Sequence, residues 1–180
     1  MPLPTLHTPR LTLRACTLDD VDSLHRLWTD PKVRRYLWDN IIISRERAEE
    51  TVRDSLDCVQ RYGVGHWLVL IRETDALAGF CGFIVREDGE DPELLYGLAP
   101  EYWGRGLVTE AATAALQWAF VDRGFNRVTA ATDPPNIASV RVMERLGMRF
   151  LRRGTLNGLD TVFYELKRDE FRAPEAAKDA

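Results

Sequence analysis

The sequence is poor in the residues that bind metals or form disulfides, and it has no long hydrophobic run. It contains three cysteines and three histidines among 180 residues. Cys16, Cys58 and Cys81 lie far apart and form no Cys-x-x-Cys pair, and the histidines are equally scattered. Neither a zinc site nor a disulfide framework is therefore predicted. No apolar stretch approaches the roughly 18–20 residues needed to span a bilayer, so no membrane-spanning segment is expected.

Charge and the first residues exclude further classes. The chain has 24 Lys and Arg against 28 Asp and Glu, which gives a formal net charge of −4. This balance gives no reason to expect binding to nucleic acid or to an anionic membrane. The start, Met-Pro-Leu-Pro, has no basic-then-apolar run and does not resemble a signal peptide. We therefore expect one cytoplasmic globular domain, 1–180, with a flexible tail at 172–180.

Hydrophobic periodicity predicts strands and helices in alternation. Apolar–polar alternation, or apolar runs between turn residues, predicts strands at 10–14, 66–72, 77–86, 93–98, 127–131, 150–153 and 161–166. Apolar stripes at helical spacing predict helices at 17–30, 44–63, 109–122 and 137–146. Residues 36–43 are apolar without a clean period, which is typical of core or of the wall of a pocket.

The most informative stretch is a strand, a glycine loop and a helix in direct succession, from Glu93 to Ala112. Gly104 and Gly106 let the main chain turn sharply and approach a ligand closely. The helix that follows directs unpaired N–H groups to the same place. Such a junction binds phosphate or pyrophosphate, and Arg105 adds a positive charge. An ordinary glycine turn is the structural alternative.

Three phosphate-binding schemes compete for this loop. A P-loop requires Lys and then Ser or Thr after the last glycine, where Leu107 and Val108 stand, so that scheme is excluded. A dinucleotide-binding fold requires a small residue at Thr109 and an acidic residue about twenty positions later, for which Asp133 is late. The strands before the loop also do not begin a doubly wound sheet. An NADH-binding oxidoreductase is thus a weak interpretation, and coenzyme A binding is the third scheme.

Three separated motifs carry a resemblance to a known family. The loop Trp103-x-x-Gly106-x-Val108 is similar to the pattern Gln/Arg-x-x-Gly-x-Gly/Ala, from which Trp103 and Val108 depart. The three motifs are Thr8-Pro9-Arg10-Leu11-x-Leu13-Arg14, Tyr102-Trp103-Gly104-Arg105-Gly106-Leu107-Val108-Thr109-Glu110-Ala111, and Asn136-x-x-Ser139-x-x-Val142-x-Glu144-x-Leu146-Gly147. Together they resemble the GNAT superfamily of N-acetyltransferases, and within it the RimJ/RimL-type branch of ribosomal-protein N-terminal acetyltransferases. The resemblance covers about Leu6 to Leu166.

The resemblance implies a fold and a co-substrate. The fold is the α/β GNAT fold, with a mixed, mostly antiparallel central sheet of six to seven strands that is splayed at the fourth strand, and with helices on both faces. Acetyl-CoA is expected as co-substrate, and no metal is expected. The residues implied to bind coenzyme A are Gly97 and Leu98 on the splayed strand, Gly104, Arg105, Gly106, Val108 and Thr109 in the loop and helix start, and Asn136, which also suits a helix N-cap.

The resemblance further implies direct attack of an amine on the acetyl thioester. Glu93 matches an acidic position on the splayed strand and is the expected general base, acting directly or through water. Ser139 matches a helix serine proposed to donate a proton to the thiolate, with Tyr96 and Tyr164 as reserve donors. A main-chain N–H near Leu98 would stabilise the oxyanion. A solvated strand-end carboxylate and a first-turn hydroxyl are the structural alternatives for Glu93 and Ser139.

The expected acceptor is a primary amine, with a protein or peptide N-terminal α-amine as first choice. Its pKa is about 7.7–8.0 against about 10.4 for lysine, so freeing lysine at neutral pH costs roughly 3 kcal/mol more. Segments 38–43 and 154–160 are expected to flank the acceptor. Arg152 and Arg153 would attract an acidic substrate or form a solvated edge. A small amine (antibiotic, polyamine or amino acid) and a non-catalytic CoA-binding sensor are the alternatives, and exposed Trp and Leu residues would suit a homodimer.

Overall fold

One eight-stranded sheet forms the centre of the molecule. The computed structural model describes residues 2–86 and 91–172, so most of the predicted tail at 172–180 lies outside the described residues. The strands are β1 (Leu6–His7), β2 (Leu11–Ala15), β3 (His66–Ile71), β4 (Leu77–Ile84), β5 (Glu93–Leu98), β6 (Arg127–Thr132), β7 (Arg149–Leu156) and β8 (Leu159–Lys167). Their order across the sheet is β1-β2-β3-β4-β5-β6-β8-β7.

The predicted mixed, mostly antiparallel sheet is confirmed. Every neighbouring pair is antiparallel except β5 and β6, which are parallel. The sheet has one strand more than the six to seven expected. The additional strand is β1, which has only two residues and is therefore too short to show an alternating pattern in the sequence.

The helices are α1 (Val21–Thr29), α2 (Arg34–Leu37), α3 (Arg45–Tyr62), α4 (Leu107–Gln117) and α5 (Ile137–Arg145), and α4 continues into a π-helical turn at Trp118–Asp122. Both ends of α3 are set by capping residues that the sequence predicts. Ser44 caps α3 by accepting a hydrogen bond from the Arg47 amide, and Gly63 ends that helix with a φ of 71°. Across the described ranges, no helix is both long enough and apolar enough to cross a membrane.

The sheet separates two apolar clusters, which confirms that helices cover both faces. Successive strand residues point to opposite faces, so Trp67 and Leu68 enter different clusters. On one face, α4 and α5 pack on the sheet in what we call the α4–α5 core, with Trp67, Phe83, Leu94, Leu107, Ala112, Leu116, Val128 and Met143 among its members. On the other, α1 and α3 form the α1–α3 core, with Val21, Leu24, Trp28, Val52, Leu68 and Phe80 among its members.

Strands β5 and β6 meet at one point only. Their register contains the single pair Glu93↔Thr129, beside which the Thr129 amide donates to the Pro92 carbonyl over 3.0 Å. The opposite edge of β5 pairs with β4 from Glu93 to Leu98. The two parallel strands therefore diverge toward their carboxyl ends, and β5 presents an edge that β6 does not occupy. This is the predicted splay, located at the fourth of the seven strands expected from the sequence.

Candidate active site

A cavity of about 980 Å³ opens where β5 and β6 diverge. Its walls are β5, the loop leading into α4, the end of β6 with the start of α5, the segment 31–39 and the tip of the β7–β8 hairpin. With the exception of Arg105, the structure brings all the predicted site residues to this cavity: Glu93, Gly97, Leu98, Gly104, Gly106, Val108, Thr109, Asn136 and Ser139. Within the described parts of the chain, no three His, Cys, Asp or Glu side chains are grouped as metal ligands.

The glycine loop has the geometry of an anion-binding cradle. Gly104 and Gly106 adopt left-handed φ angles of 70° and 74°, and a Cβ on Gly104 would find no atom within 4 Å. Gly106 is the N-cap of α4 and supplies no side-chain cap. The first-turn N–H groups, including those of Val108 and Thr109, are therefore available to an anion. Val108 also packs against the α4–α5 core, so its branched side chain is partly taken up there.

The N-terminal motif holds this loop from behind. Arg10 Nη1 donates to the Arg105 carbonyl over 2.9 Å, and Arg10 Nε donates to Glu110 over 2.6 Å. Thr8 Oγ1 donates to the same Glu110 carboxylate over 2.6 Å. Burial alone would raise the pKa of Glu110, but the hydrogen bonds from Thr8 and Arg10 outweigh it and lower that pKa. Two motifs about a hundred residues apart thus form one unit, a contact that no local sequence pattern reports.

Arg105 is not among the residues that line the cavity. Its carbonyl accepts a hydrogen bond from Arg10, and its guanidinium lies 5.9 Å from the centre of the Tyr102 ring. Arg141 and Arg145, which the sequence analysis did not single out, line the cavity instead. Their spacing of four residues on α5 is the signal that could have revealed them, because such residues share a helix face.

The Trp103 side chain forms a hydrogen bond with a main-chain group on the edge of β5 that faces β6. Its indole Nε1 donates to the Leu98 carbonyl over 2.8 Å. The Ala99 amide donates to Ala78 on β4, so by alternation the main-chain groups of Leu98 and Tyr96 face the cavity, whereas those of Gly97 face β4.

Gly97 is required for a different reason from the one expected. A Cβ at this position would lie 2.8 Å from Cε1 of Phe80, a distance that side chains do not tolerate. The ring of Phe80 belongs to the α1–α3 core. The absence of a side chain therefore serves the packing of that core rather than the approach of a ligand.

Asn136, Ser139 and Tyr96 form a connected group beside the gap. Asn136 Oδ1 accepts from the Ser139 amide over 3.4 Å and its Nδ2 donates to Thr132 Oγ1 over 3.0 Å, which confirms the N-cap. The Tyr96 hydroxyl lies 3.0 Å from Ser139 Oγ and 3.1 Å from the Ser139 carbonyl. Burial raises the pKa of Tyr96, and the hydrogen bond with Ser139 only partly offsets it. The other reserve donor, Tyr164, is buried in the α4–α5 core and is not among the cavity residues.

Glu93 is neither solvated nor unpartnered. Its side chain is 8% exposed, and its two oxygens accept hydrogen bonds from Nε and Nη2 of Arg86, each over 2.6 Å. Such a bidentate pair fixes the carboxylate in one orientation. The solvated strand-end alternative is therefore excluded. Arg86 lies in the connection from β4 to β5, where no sequence pattern predicted a site residue.

The far end of the cavity is lined by side chains from separate segments. The segment 31–39 forms one wall, whereas Ile41 and Ile42 are exposed to solvent at 61% and 68%. From the β7–β8 hairpin, Leu156, Asn157, Leu159 and Thr161 line the opposite wall. Arg152 stacks on the ring of Phe163 and Arg153 pairs with Asp160, and neither arginine lines the cavity. This arrangement favours the solvated edge for the two arginines.

Comparison with known proteins gives a consistent assignment. A model of the acetyltransferase (GNAT) domain family matches residues 10–149. An uncharacterized N-acetyltransferase p20 of Bacillus licheniformis is 29% identical over 155 residues, which cover 86% of each chain. An acetyltransferase structure from Agrobacterium tumefaciens superimposes with a TM-score of 0.82 at 23% identity, over 92% of this chain and 95% of that one.

A further solved structure carries a ligand. RimL, a ribosomal L7/L12 alpha-N-protein acetyltransferase in complex with coenzyme A, superimposes with a TM-score of 0.75 at 22% identity. The match covers 91% of this chain and 98% of that one. At this identity the likeness establishes a common fold.

Proposed function

This chain belongs to the GNAT acetyltransferase family, and we propose that it transfers the acetyl group of acetyl-CoA directly to a protein or peptide N-terminal α-amine. The protein is an acetyltransferase; the identity of the acceptor and the roles of individual residues are the proposal. The observation that carries it is the cavity in which an unpaired strand edge, an uncapped helix N-terminus and a buried carboxylate meet.

The described residues fit coenzyme A. A volume of about 980 Å³ suits a large, extended ligand. The amides of the Gly104–Gly106 loop and of the first turn of α4 would hold the pyrophosphate. The main-chain groups of Tyr96 and the carbonyl of Leu98 would bind the pantetheine arm as an added strand does. Arg141 and Arg145 contribute positive charge on the neighbouring wall.

The bound co-substrate supplies an activated acetyl group as a thioester, and the chain supplies the proton transfers. Glu93 would take the proton from the attacking amine, directly or through water. Arg86 occupies one site on each of its oxygens. A carboxylate has about four lone-pair sites, so acceptor capacity remains. The N–H of Leu98 would stabilise the negative charge that develops on the carbonyl oxygen.

The leaving thiolate needs one proton in exchange for the one lost by the amine. Ser139 Oγ would donate it and would regain a proton from solvent, while Glu93 releases to solvent the proton taken from the amine. The Tyr96 hydroxyl, 3.0 Å from Ser139 Oγ, would orient this side chain by a hydrogen bond. Because burial raises the pKa of Tyr96, this hydroxyl keeps its own proton at neutral pH.

Two considerations support an α-amine as the acceptor. RimL, whose fold this chain shares, is described as an alpha-N-protein acetyltransferase. An α-amine also loses its proton far more readily than lysine, a difference of roughly 3 kcal/mol at neutral pH. A site with a single buried base is thereby better matched to an α-amine.

The test measures free-thiol release from acetyl-CoA with two acceptor pools. One pool contains short peptides of varied first residue with blocked lysines, and the other contains aminoglycosides, polyamines and amino acids. We expect release with the peptides and none with the same peptides after α-acetylation. Release with the small amines alone would contradict the α-amine proposal. Tight acetyl-CoA binding with no release in either pool would favour a sensor.

A further inference from the structure

The cavity contains a carboxylate that the chemistry above does not use. Asp133 follows β6 and lines the cavity three residues before Asn136. In the part of the chain that the structure describes, no hydrogen bond or ion pair engages its carboxylate; only its carbonyl is bonded, by the Asn136 amide. By contrast, Glu93 is held by Arg86, and Asp160 is paired with Arg153.

Asp133 lies where three segments converge. The loop that carries it is joined to α2, since the Tyr36 hydroxyl donates to the Pro135 carbonyl over 3.4 Å. Asp39, at the end of the segment 31–39, lines the same cavity. Asp160 belongs to the β7–β8 hairpin and is close enough for its charge to act on Asp133. The segment 31–39 and the β7–β8 hairpin, which line this end of the cavity, thus each bring a carboxylate near Asp133.

The electrostatic surroundings of Asp133 favour the binding of a cation. Burial raises the pKa of Asp133, and the negative charges of Asp39 and Asp160 raise it further. Lys32 and Arg35 line the cavity, but neither pairs with Asp133, and the Arg35 guanidinium lies 5.2 Å from the centre of the Tyr36 ring. A cation placed beside Asp133 would relieve the repulsion among the carboxylates and would satisfy its hydrogen-bonding capacity.

We propose that Asp133 binds the ammonium group of the acceptor amine and directs its nitrogen toward the gap between β5 and β6. The proposal rests on the proposed function, since it assigns the residue that receives the amine before Glu93 takes its proton. The two carboxylates thus have different tasks. Asp133 determines how well a primary amine binds, and Glu93 determines how fast the bound amine reacts.

The test compares Asp133→Asn with the unmodified enzyme. The change keeps the shape of the side chain, and no described side-chain contact is lost. A charge-assisted hydrogen bond is worth about 1.5–3 kcal/mol, so we expect the KM for the best peptide acceptor to rise about 10- to 100-fold. The kcat should change less than about threefold, and the KM for acetyl-CoA should stay the same, which also reports an intact fold.

A matched control removes a carboxylate that does not line the cavity. Glu144→Gln eliminates an exposed charge on α5 outside the cavity, and the acceptor KM should change less than about twofold. An unchanged acceptor KM in Asp133→Asn would overturn the proposal. So would a lower kcat at unchanged KM, which would make Asp133 part of the proton transfer instead.

Direct binding separates this proposal from the proposed function. In the presence of coenzyme A, the free-amine peptide should lose affinity in Asp133→Asn, and its α-acetylated form should bind both proteins alike. If the unmodified enzyme acts on small amines alone, the α-amine proposal fails, and the same comparison made with spermidine still decides the role of Asp133. If neither the peptide nor spermidine binds the unmodified enzyme, both proposals are overturned.

Discussion

The two ends of the cavity are built in different ways. At the end proposed to bind the coenzyme (the coenzyme end), the groups that would meet it belong to the main chain: the Gly104–Gly106 loop, the first turn of α4 and the free edge of β5. At the acceptor end they are side chains from separate segments, among them Tyr36 and Asp133. Main-chain geometry is imposed by a short local pattern, whereas a set of side chains is assembled only by the fold. The first end can therefore be shared across a family while the second varies with the acceptor.

The packing beneath the two ends differs as well. Ala111, Ala112 and Ala115 let α4 lie directly on the sheet in the α4–α5 core. Among the described residues, the buried side-chain polar atoms without a hydrogen-bond partner are Trp28 Nε1, Trp38 Nε1 and His66 Nε2. All three belong to or adjoin the α1–α3 core, which supports the acceptor end. Across the described residues, the α1–α3 core therefore contains buried polar groups that lack hydrogen bonds, whereas the α4–α5 core does not.

The largest expected effect is at the coenzyme end. Gly106→Trp should raise the Kd for acetyl-CoA about 100- to 1,000-fold, because a side chain at this left-handed position disfavours the turn that presents the loop amides, and at least two charge-assisted hydrogen bonds of about 1.5–3 kcal/mol each would be lost. The added Cβ itself meets only Arg10 Nη2, at 3.6 Å. Titration calorimetry with acetyl-CoA measures the change. Unchanged affinity would contradict the assignment of this loop.

A control separates the loss of the cradle from backbone strain. Gly124 has the same left-handed conformation, with a φ of 73°, and a Cβ there would find nothing within 4 Å. It does not line the cavity. Gly124→Trp carries a similar strain of about 1–2 kcal/mol and should leave acetyl-CoA affinity unchanged.

A smaller effect is expected where the two ends meet. Glu93→Gln should lower kcat about 100-fold with little change in either KM, because the general base is lost while the shape of the side chain is kept. Steady-state kinetics with the best acceptor measures it. The matched control is Glu165→Gln, which breaks another partly buried pair, with Arg127, on β8 outside the cavity. It should leave kcat within about twofold. If Glu93→Gln also leaves kcat unaltered, Glu93 is not the base.

The sequence predicted the coenzyme end more completely than the acceptor end. The glycine loop, the N-cap Asn136 and the splay follow from local patterns and from the family resemblance. The role of Arg105 stays a prediction; its side chain does not line the cavity, and the hydrogen bond from Arg10 to its carbonyl is a long-range contact that a local pattern does not report. Gly97 lines the cavity, but its main-chain groups face β4, and its lack of a side chain is explained by Phe80 on that neighbouring strand.

Residues from distant segments escaped prediction for the same physical cause. Arg86 faces Glu93 only once β4 and β5 are paired, and Asp133 gains its surroundings only when the β7–β8 hairpin and the segment 31–39 fold against it. The short strand β1 and helix α2 carry too few residues for a periodic signal. A pattern along the chain therefore predicts main-chain geometry, but it does not predict which charged side chains surround a given residue in the fold.

The smallest expected effect concerns the α1–α3 core and is seen in how the free energy of unfolding depends on pH. Burial lowers the pKa of His66 to about 4, against about 6.5 in the unfolded chain. Below about pH 6.5, His66 therefore binds a proton in the unfolded chain but not in the folded protein. Its contribution to the free energy of unfolding is fully present above that pH and is lost as the pH falls toward 4. Between pH 7.5 and pH 5 this amounts to about 2 kcal/mol.

His66→Leu removes the titrating group and the unpartnered Nε2 together, so its free energy of unfolding in urea should decline about 2 kcal/mol less over this interval than that of the unmodified protein. His7→Gln, at an exposed position, should decline as the unmodified protein does. Saturating acetyl-CoA should raise stability at both pH values without changing the difference, because His66 does not line the cavity. Parallel declines in His66→Leu and the unmodified protein would show that the α1–α3 core tolerates the charge, and the contrast between the two cores would then rest on the indole nitrogens alone.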